Sequence, residues 1–117
     1  MKKIEVDGNE IEITSTLKEL EEKIKGVKVN EETREVEYTL KFPIFKDADR
    51  KLKVTKITLS DPTAGKLKKF KLSQEQTIEN ALWAVFACSD LEGMSIVEKL
   101  KGIDIINLIT IAFSFLY

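Results

Sequence analysis

The stretch "ITLSDPTAGKLKKF", residues 57–70, joins two parts of the sequence that differ in the spacing of their apolar residues. Ile57 and Leu59 alternate with polar residues, as they do in a half-buried strand. Leu67 and Phe70 recur instead at the spacing of a helix. The stretch therefore predicts a strand that ends where a helix begins.

The junction itself has the composition of a helix start. Asp61 and Thr63 are both favourable N-caps, and Pro62 has the φ angle of a first helical residue. Gly65 costs helix stability relative to alanine, so its presence predicts close backbone packing in the first turn.

This region contains partial matches to two ligand-binding motifs, but neither match is complete. Beside Gly65 and Lys66, a phosphate-binding P-loop needs glycine where the sequence has Ser60, and serine or threonine where it has Leu67. The polar run "KDADRK", residues 46–51, lacks the glycine of a calcium-binding loop. We interpret the first as a structural junction and the second as a hairpin turn.

Upstream of the junction, "EVEYTLKFPIF" at residues 35–45 alternates as a strand with one apolar face. Pro43 cannot donate to a strand ladder, which places this end at a sheet edge. The returning strand changes the parity of its apolar residues, and this predicts a β-bulge near Thr55 and Lys56. The predicted inner face consists of Val36, Tyr38, Leu40, Phe42 and Ile44.

The segment 1–35 reads as a hairpin followed by a short helix. Asp7 and Gly8 separate two alternating runs, which is typical of a tight hairpin turn. Thr16 and Glu19 have the spacing of a capping box at the start of a helix.

Downstream of residue 72 the apolar spacing is helical throughout. Ser73 with Gln76, and Ser95 with Glu98, have capping-box spacing, and Asp104 is the expected cap of the last helix. The apolar stripe of the first of these helices is predicted to be Ile78, Leu82, Val85 and Phe86.

Together these elements predict an α+β fold, in which N-terminal β-hairpins pack against a C-terminal cluster of three to four short helices. With 117 residues, the chain has the size of one domain spanning residues 1–117. The 43% apolar and 33% charged residues are typical of a globular chain rather than a disordered one.

The composition argues against catalysis. There is no histidine, which excludes Ser-His-Asp and Cys-His mechanisms and most zinc sites. No carboxylates or lysines are paired in a catalytic pattern, so we expect a protein that is not an enzyme and that uses no metal or cofactor. The single cysteine, Cys88, is expected in a small apolar role and fits a reducing cytoplasm. Acidic residues interrupt any apolar signal core near the N-terminus, so export by a signal peptide is not expected.

Charge is unevenly distributed along the chain. The net charge is −1, yet residues 38–71 carry 10 basic and 3 acidic groups. Four lysines surround Phe70, at positions 66, 68, 69 and 71, which leaves a nucleic-acid regulator as an alternative. Lysines without arginines and with one aromatic residue are weak support for it, and we favour a solvated basic face.

The last segment, residues 105–117, carries no charge. As a helix it is about 20 Å long, too short for a hydrocarbon core of about 30 Å. We expect one face to pack inside the domain and the other to contact a partner chain. The predicted partner-binding residues are Ile106, Ile109, Phe113, Phe115, Leu116 and Tyr117.

Through four sequence features and their order along the chain, the sequence resembles the tail assembly chaperones of Mu-like and related temperate phages. The four features are "YTLKFPI", the "ITLSDPTAGKL" junction, "DLEGMSIVEKL", and a closing Asp104–Leu108 pair before an apolar stretch. The resemblance covers residues 36–117, leaving 1–35 as a hairpin–helix extension outside it. Lys66 departs from the family, which commonly has an acid there. The family-motif residues to which we assign a structural role are Pro62, Thr63, Gly65, Leu67 and Asp104.

The resemblance implies a non-catalytic protein that binds the tape measure protein and keeps it soluble during tail assembly. It also implies a location in the host bacterial cytoplasm and absence from the finished virion. Separately, we expect residues 105–117 to contribute to self-association or to tape-measure binding and, given their length, we expect no role at a membrane. The alternatives are a tail or head-tail connector protein that stays in the virion and, less favoured, the nucleic-acid regulator.

Overall fold

The computed structural model describes residues 2–117, which form six strands and five helices. Most strands precede most helices, which confirms the predicted α+β fold. The strands are β1 (Lys2–Val6), β2 (Asn9–Ile13), β3 (Val27–Asn30), β4 (Glu35–Phe45), β5 (Lys53–Leu59) and β6 (Glu75–Gln76). The helices are α1 (Leu20–Lys23), α2 (Ala64–Leu67), α3 (Ile78–Cys88), α4 (Met94–Val97) and α5 (Ile103–Leu116).

The N-terminal hairpin is confirmed and belongs to a sheet of its own. Strands β1 and β2 pair antiparallel across Asp7 and Gly8, which have φ angles of 47° and 84°. On its other edge β1 pairs parallel with β6, so the strand order is β2-β1-β6. The segment outside the family resemblance is therefore hydrogen-bonded to the segment inside it.

The second sheet has the order β3-β4-β5, with both pairs antiparallel. Strand β3 was not predicted from the sequence and is only four residues long. Strand β3 begins at Val27, opposite Tyr38, and ends at Asn30, opposite Glu35, so the second half of β4 has no paired strand on that side. This agrees with the edge position expected for Pro43.

The β4–β5 ladder is interrupted where the bulge was expected. Thr39 pairs with Lys56, but the next pair is Ile44 with Val54, so β4 advances five positions while β5 advances two. The extra residues thus belong to β4 and not to β5, where the bulge was predicted. Residues 41–43 are all exposed, although Leu40 and Ile44 on either side of them are buried. Phe42, predicted to be buried, is 42% exposed as a result.

Most predicted helix starts are displaced. Helix α3 begins after Thr77, whose hydroxyl accepts from the Asn80 amide at 3.1 Å, and not at Ser73. Gln76 lies in β6, where pairing with β1 competes with the helix. The N-caps of α1, α4 and α5 are Glu19, Gly93 and Gly102, so Thr16, Ser95 and Asp104 are not caps.

The core joins both sheets to the helices in one apolar cluster. Of the predicted stripe of α3, Val85 is fully buried, Leu82 and Phe86 are partly buried against the core, and Ile78 is 40% exposed. The rest of the buried face of α3 consists of small residues. Cys88 is buried, as expected, and its thiol lies 3.8 Å from the carbonyl oxygen of Ala112. The buried residues of α3 are Ala81, Ala84, Val85, Ala87 and Cys88.

Candidate partner-binding surface

The six residues predicted to bind a partner lie in α5 and at its C-cap, Tyr117, and some of them are in the core while others are at the surface. Ile109 and Phe113 are fully buried inside the chain. The prediction that these two residues lie on a partner-binding face is therefore wrong, because α5 packs against α3, β2 and β4 along this face. Both residues stabilise the fold itself.

Tyr117 holds the end of α5 in place through its hydroxyl. This group donates to the carbonyl oxygen of Ser73 at 2.6 Å and accepts from the side-chain amide of Gln76 at 2.7 Å. Its ring packs against Phe113 and Phe70, with centroid distances of 5.2 and 6.5 Å. Tyr117 is partly buried and acts mainly as a connection between α5 and β6.

Phe115 and Leu116 are also partly buried. The guanidinium of Arg34 lies 5.7 Å from the centroid of the Phe115 ring, at the distance of a cation–π contact. The same guanidinium binds both carboxylate oxygens of Asp61, at 2.6 and 3.1 Å. This hydrogen-bonded pair lowers the pKa of Asp61. Arg34 thus covers part of the surface expected to contact a partner.

Ile106 is the most exposed of the six, at 43%. It follows Ile103, which is 47% exposed, by one helical turn, and Phe42 packs against Gly102 just before Ile103. We call the set Phe42, Ile103 and Ile106 the junction patch. The junction patch presents three large apolar side chains from two different elements. Apolar residues that are exposed singly need no explanation, whereas a group of them indicates an interaction site.

The position of Phe42 depends on Asp104, which is fully buried in the first turn of α5. Its carboxylate accepts from the backbone amides of Lys41 and Phe42, at 3.0 and 2.9 Å. These two amides lie in the part of β4 that has lost its pairing with β5. Buried backbone donors need an acceptor, and Asp104 supplies one from another element.

Tyr38 completes this arrangement. Its hydroxyl donates to Asp104 at 2.6 Å and accepts from the side-chain amide of Asn107 at 2.9 Å. Burial, together with the hydrogen bond to Asp104, raises the pKa of Tyr38 to about 12. The cluster is a fixed joint between β4 and α5.

The junction motif residues lie on the surface or half-buried around α2. Thr63 is the N-cap, but its side chain makes no capping hydrogen bond, and α2 is a single turn. Pro62 and Leu67 are half-buried. The prediction of close backbone packing at Gly65 is wrong, since a methyl group added there would meet only the Thr63 hydroxyl, at 3.9 Å.

Two of the four lysines in the basic run contact aromatic rings of α3. Lys66 lies 4.9 Å from the centroid of Phe86 and also donates to the carbonyl oxygen of Ser89 at 2.6 Å. Lys69 lies 5.1 Å from the centroid of Trp83. These two lysines cover part of the flank of α3, while Lys68 and Lys71 are exposed.

Comparisons of the chain with protein-family models, with curated proteins and with solved structures found no match. The resemblance to tail assembly chaperones thus rests on the sequence motifs alone. Across residues 2–117, no cluster of three or more histidine, cysteine or acidic residues could hold a metal ion. None of the helices described has the length and apolar character needed to cross a membrane.

Phe42 and Ile103 were not predicted as surface residues. Strict alternation along β4 placed Phe42 inside, and the helix was expected to begin at Asp104, which left Ile103 in a loop. Pro43 was the available signal, because a residue that cannot donate marks the place where strand pairing stops.

Proposed function

We propose that the chain is a non-catalytic phage tail assembly chaperone that binds the tape measure protein and keeps it soluble during tail morphogenesis. The resemblance in residues 36–117 supplies the family and the partner. The observation that favours a binding role is the junction patch, because large apolar side chains from β4 and α5 are held at the surface.

The binding role also agrees with how the patch is built. A buried carboxylate and three hydrogen-bond donors fix its β4 side to its α5 side. A surface whose geometry is set in advance loses less conformational entropy when it binds. In this proposal the protein acts in the bacterial cytoplasm and leaves before the virion is complete.

Co-expression with the tape measure protein tests the proposal. We expect the tape measure protein to become soluble and to co-purify with the wild-type chain. The Ile103→Ser/Ile106→Ser variant is expected to lose most of this co-purification, and Leu72→Ser, at a residue that is 68% exposed elsewhere, serves as the matched control. An insoluble tape measure protein in the presence of folded wild-type chain contradicts the proposal.

Mass spectrometry of purified virions separates this function from the connector alternative. A chaperone is absent from the particle, whereas a connector is present in fixed copy number. Detection of the chain at the level of other tail proteins would favour the connector.

A further inference from the structure

The junction patch borders a cleft that differs from it in chemistry. A cleft of about 520 Å³ lies between the β4–β5 turn and the loop that joins α4 to α5. Pro43 and Lys101 line it, and they are the chain neighbours of Phe42 and Gly102, which contact each other. The junction patch and the cleft therefore form one continuous surface.

Basic groups predominate around this surface. Arg50, Lys99 and Lys101 line the cleft, and the Lys41 ammonium lies 5.4 Å from the centroid of the Phe42 ring. Lys99 is held in place, because it donates to the carbonyl oxygens of Phe45 and Lys46 at 2.8 and 3.3 Å.

Two acidic groups also line the cleft. Asp47 is engaged within its own turn, where its carboxylate accepts from the backbone amides of Lys51 and Leu52. Glu98 is exposed. Three basic and two acidic groups line the cleft, and Lys41 beside Phe42 is a fourth basic group. The Asp104 carboxylate beneath Phe42 is buried and accepts three hydrogen bonds, so the exposed charges of the surface have a positive balance.

We infer that the junction patch and its cleft bind an acidic, apolar segment of a partner protein. Apolar side chains of that segment cover Phe42, Ile103 and Ile106, and its carboxylates face Lys41, Arg50 and Lys101. A basic segment is disfavoured, because like charges would be brought together. The inference rests on the proposed function only in taking the partner to be a protein.

An anionic membrane is the main rival, since it also combines apolar and negative groups. The concave cleft favours a segment with side chains that can enter it over a flat lipid surface. A second copy of the chain is the other rival occupant.

Nuclear magnetic resonance titration of the ¹⁵N-labelled full chain tests the inference. The probe is a synthetic peptide of about 15 residues, with leucines on one helical face and glutamates on the other. We expect shifts confined to residues around Phe42, Ile103 and Lys101, and affinity at least about tenfold weaker for the same peptide with lysines. Equal binding of the two peptides, or shifts elsewhere, overturns the inference.

Surface variants make the test specific. Ile103→Ser/Ile106→Ser should weaken binding of the glutamate peptide about tenfold or more. Lys41→Glu/Lys101→Glu should weaken it severalfold and reduce its dependence on salt. The matched controls Leu72→Ser and Lys68→Glu, which lie outside the surface, should bind as the wild type does. If the patch variants bind as well as the controls, the inference is wrong.

The rivals have their own readouts. Retention on vesicles that contain phosphatidylglycerol, lost in the Ile103→Ser/Ile106→Ser variant, would identify a membrane surface instead. A dimer that this variant dissociates would identify a second copy. If the tape measure protein co-purifies equally with wild type and patch variants, this surface is wrong while the proposed function stands. If the tape measure protein never co-purifies but the glutamate peptide binds the junction patch, the proposed function is wrong while the inference about this surface stands.

Discussion

The hydroxyl of Tyr38 donates to the carboxylate of Asp104 at 2.6 Å, and this buried contact joins the middle of β4 to the first turn of α5. The same carboxylate holds the amides of Lys41 and Phe42. One side chain thus supports both the interrupted strand and the exposed patch beside it.

Removing the Tyr38 hydroxyl should destabilise the fold less than replacing the Asp104 carboxylate. Tyr38→Phe leaves Asp104 with its two amide donors and should cost about 1.5–3 kcal/mol, the range for hydrogen bonds to charged groups. Asp104→Asn replaces one acceptor oxygen with an amide donor that faces a backbone N–H, so about 3 kcal/mol or more is expected. Urea unfolding measures both. Asp49→Asn, at an exposed turn position, should change stability by less than about 0.5 kcal/mol. Equal stability of Asp104→Asn and Asp49→Asn would contradict this role.

The raised pKa of Tyr38 predicts a pH dependence. The neutral phenol makes the hydrogen bond, and its pKa is about 12 in the fold against an ordinary value of 10.0. Its contribution is complete below pH 10 and disappears as the pH rises toward 12. The stability difference between wild type and Tyr38→Phe should therefore narrow across this interval. Because other groups titrate equally in both proteins, a constant difference would speak against the shifted pKa.

Two glycines should respond oppositely to alanine. Gly102 has a φ angle of 57°, and an added methyl group would lie 3.1 Å from the Phe42 ring. Gly102→Ala should therefore cost about 1–3 kcal/mol. Gly65 lies in α2 with open space around it, so Gly65→Ala should be neutral or stabilise by up to about 1 kcal/mol. Thermal unfolding of the pair tests this, and a harmless Gly102→Ala would contradict the strain at that position.

The two phenylalanines near the end of α5 should differ in the same way. Phe113→Ala empties a fully buried site and should cost about 3–5 kcal/mol. Phe115→Ala affects a partly exposed ring beside Arg34 and should cost much less. Deleting residues 113–117 would therefore unfold the chain, which makes surface substitutions the better test of binding. Similar unfolding midpoints for the two alanine variants would argue against this division of α5.

Cys88 should be protected from alkylation. Burial raises the pKa of its thiol to about 12, so very little of the reactive thiolate is present near neutral pH. Iodoacetamide at pH 8 is expected to label the folded chain more than about tenfold more slowly than the urea-unfolded chain. Fast labelling of the folded chain would show that α3 and α5 separate readily.

The predictable parts of the fold are those fixed by local pattern. Alternation placed Val36 and Tyr38 correctly inside, and Asp7–Gly8 marked the first turn, because each signal acts within a few residues. The pairing that draws Gln76 into β6 depends on β1, at the far end of the sequence, so no local pattern could move the start of α3 to Thr77.

The candidate surface was only partly predictable for the same reason. An apolar last helix was evident, but which residues face the core depends on where α5 meets α3 and β4. Asp104 has the sequence position of a cap, and only the broken β4–β5 ladder explains why its carboxylate turns inward. Phe42 became a surface residue through that same break.

The parallel pairing of β1 with β6 has a consequence for how the chain folds. The amides of Glu5 and Asp7 donate to the carbonyl oxygens of Gln74 and Gln76, so strand β1 gains its second neighbour only after all the residues between β1 and β6 have been synthesised. Contacts of such high sequence separation carry a large loop-closure entropy and slow folding. On the ribosome, the amino-terminal hairpin waits with one edge open until β6 emerges.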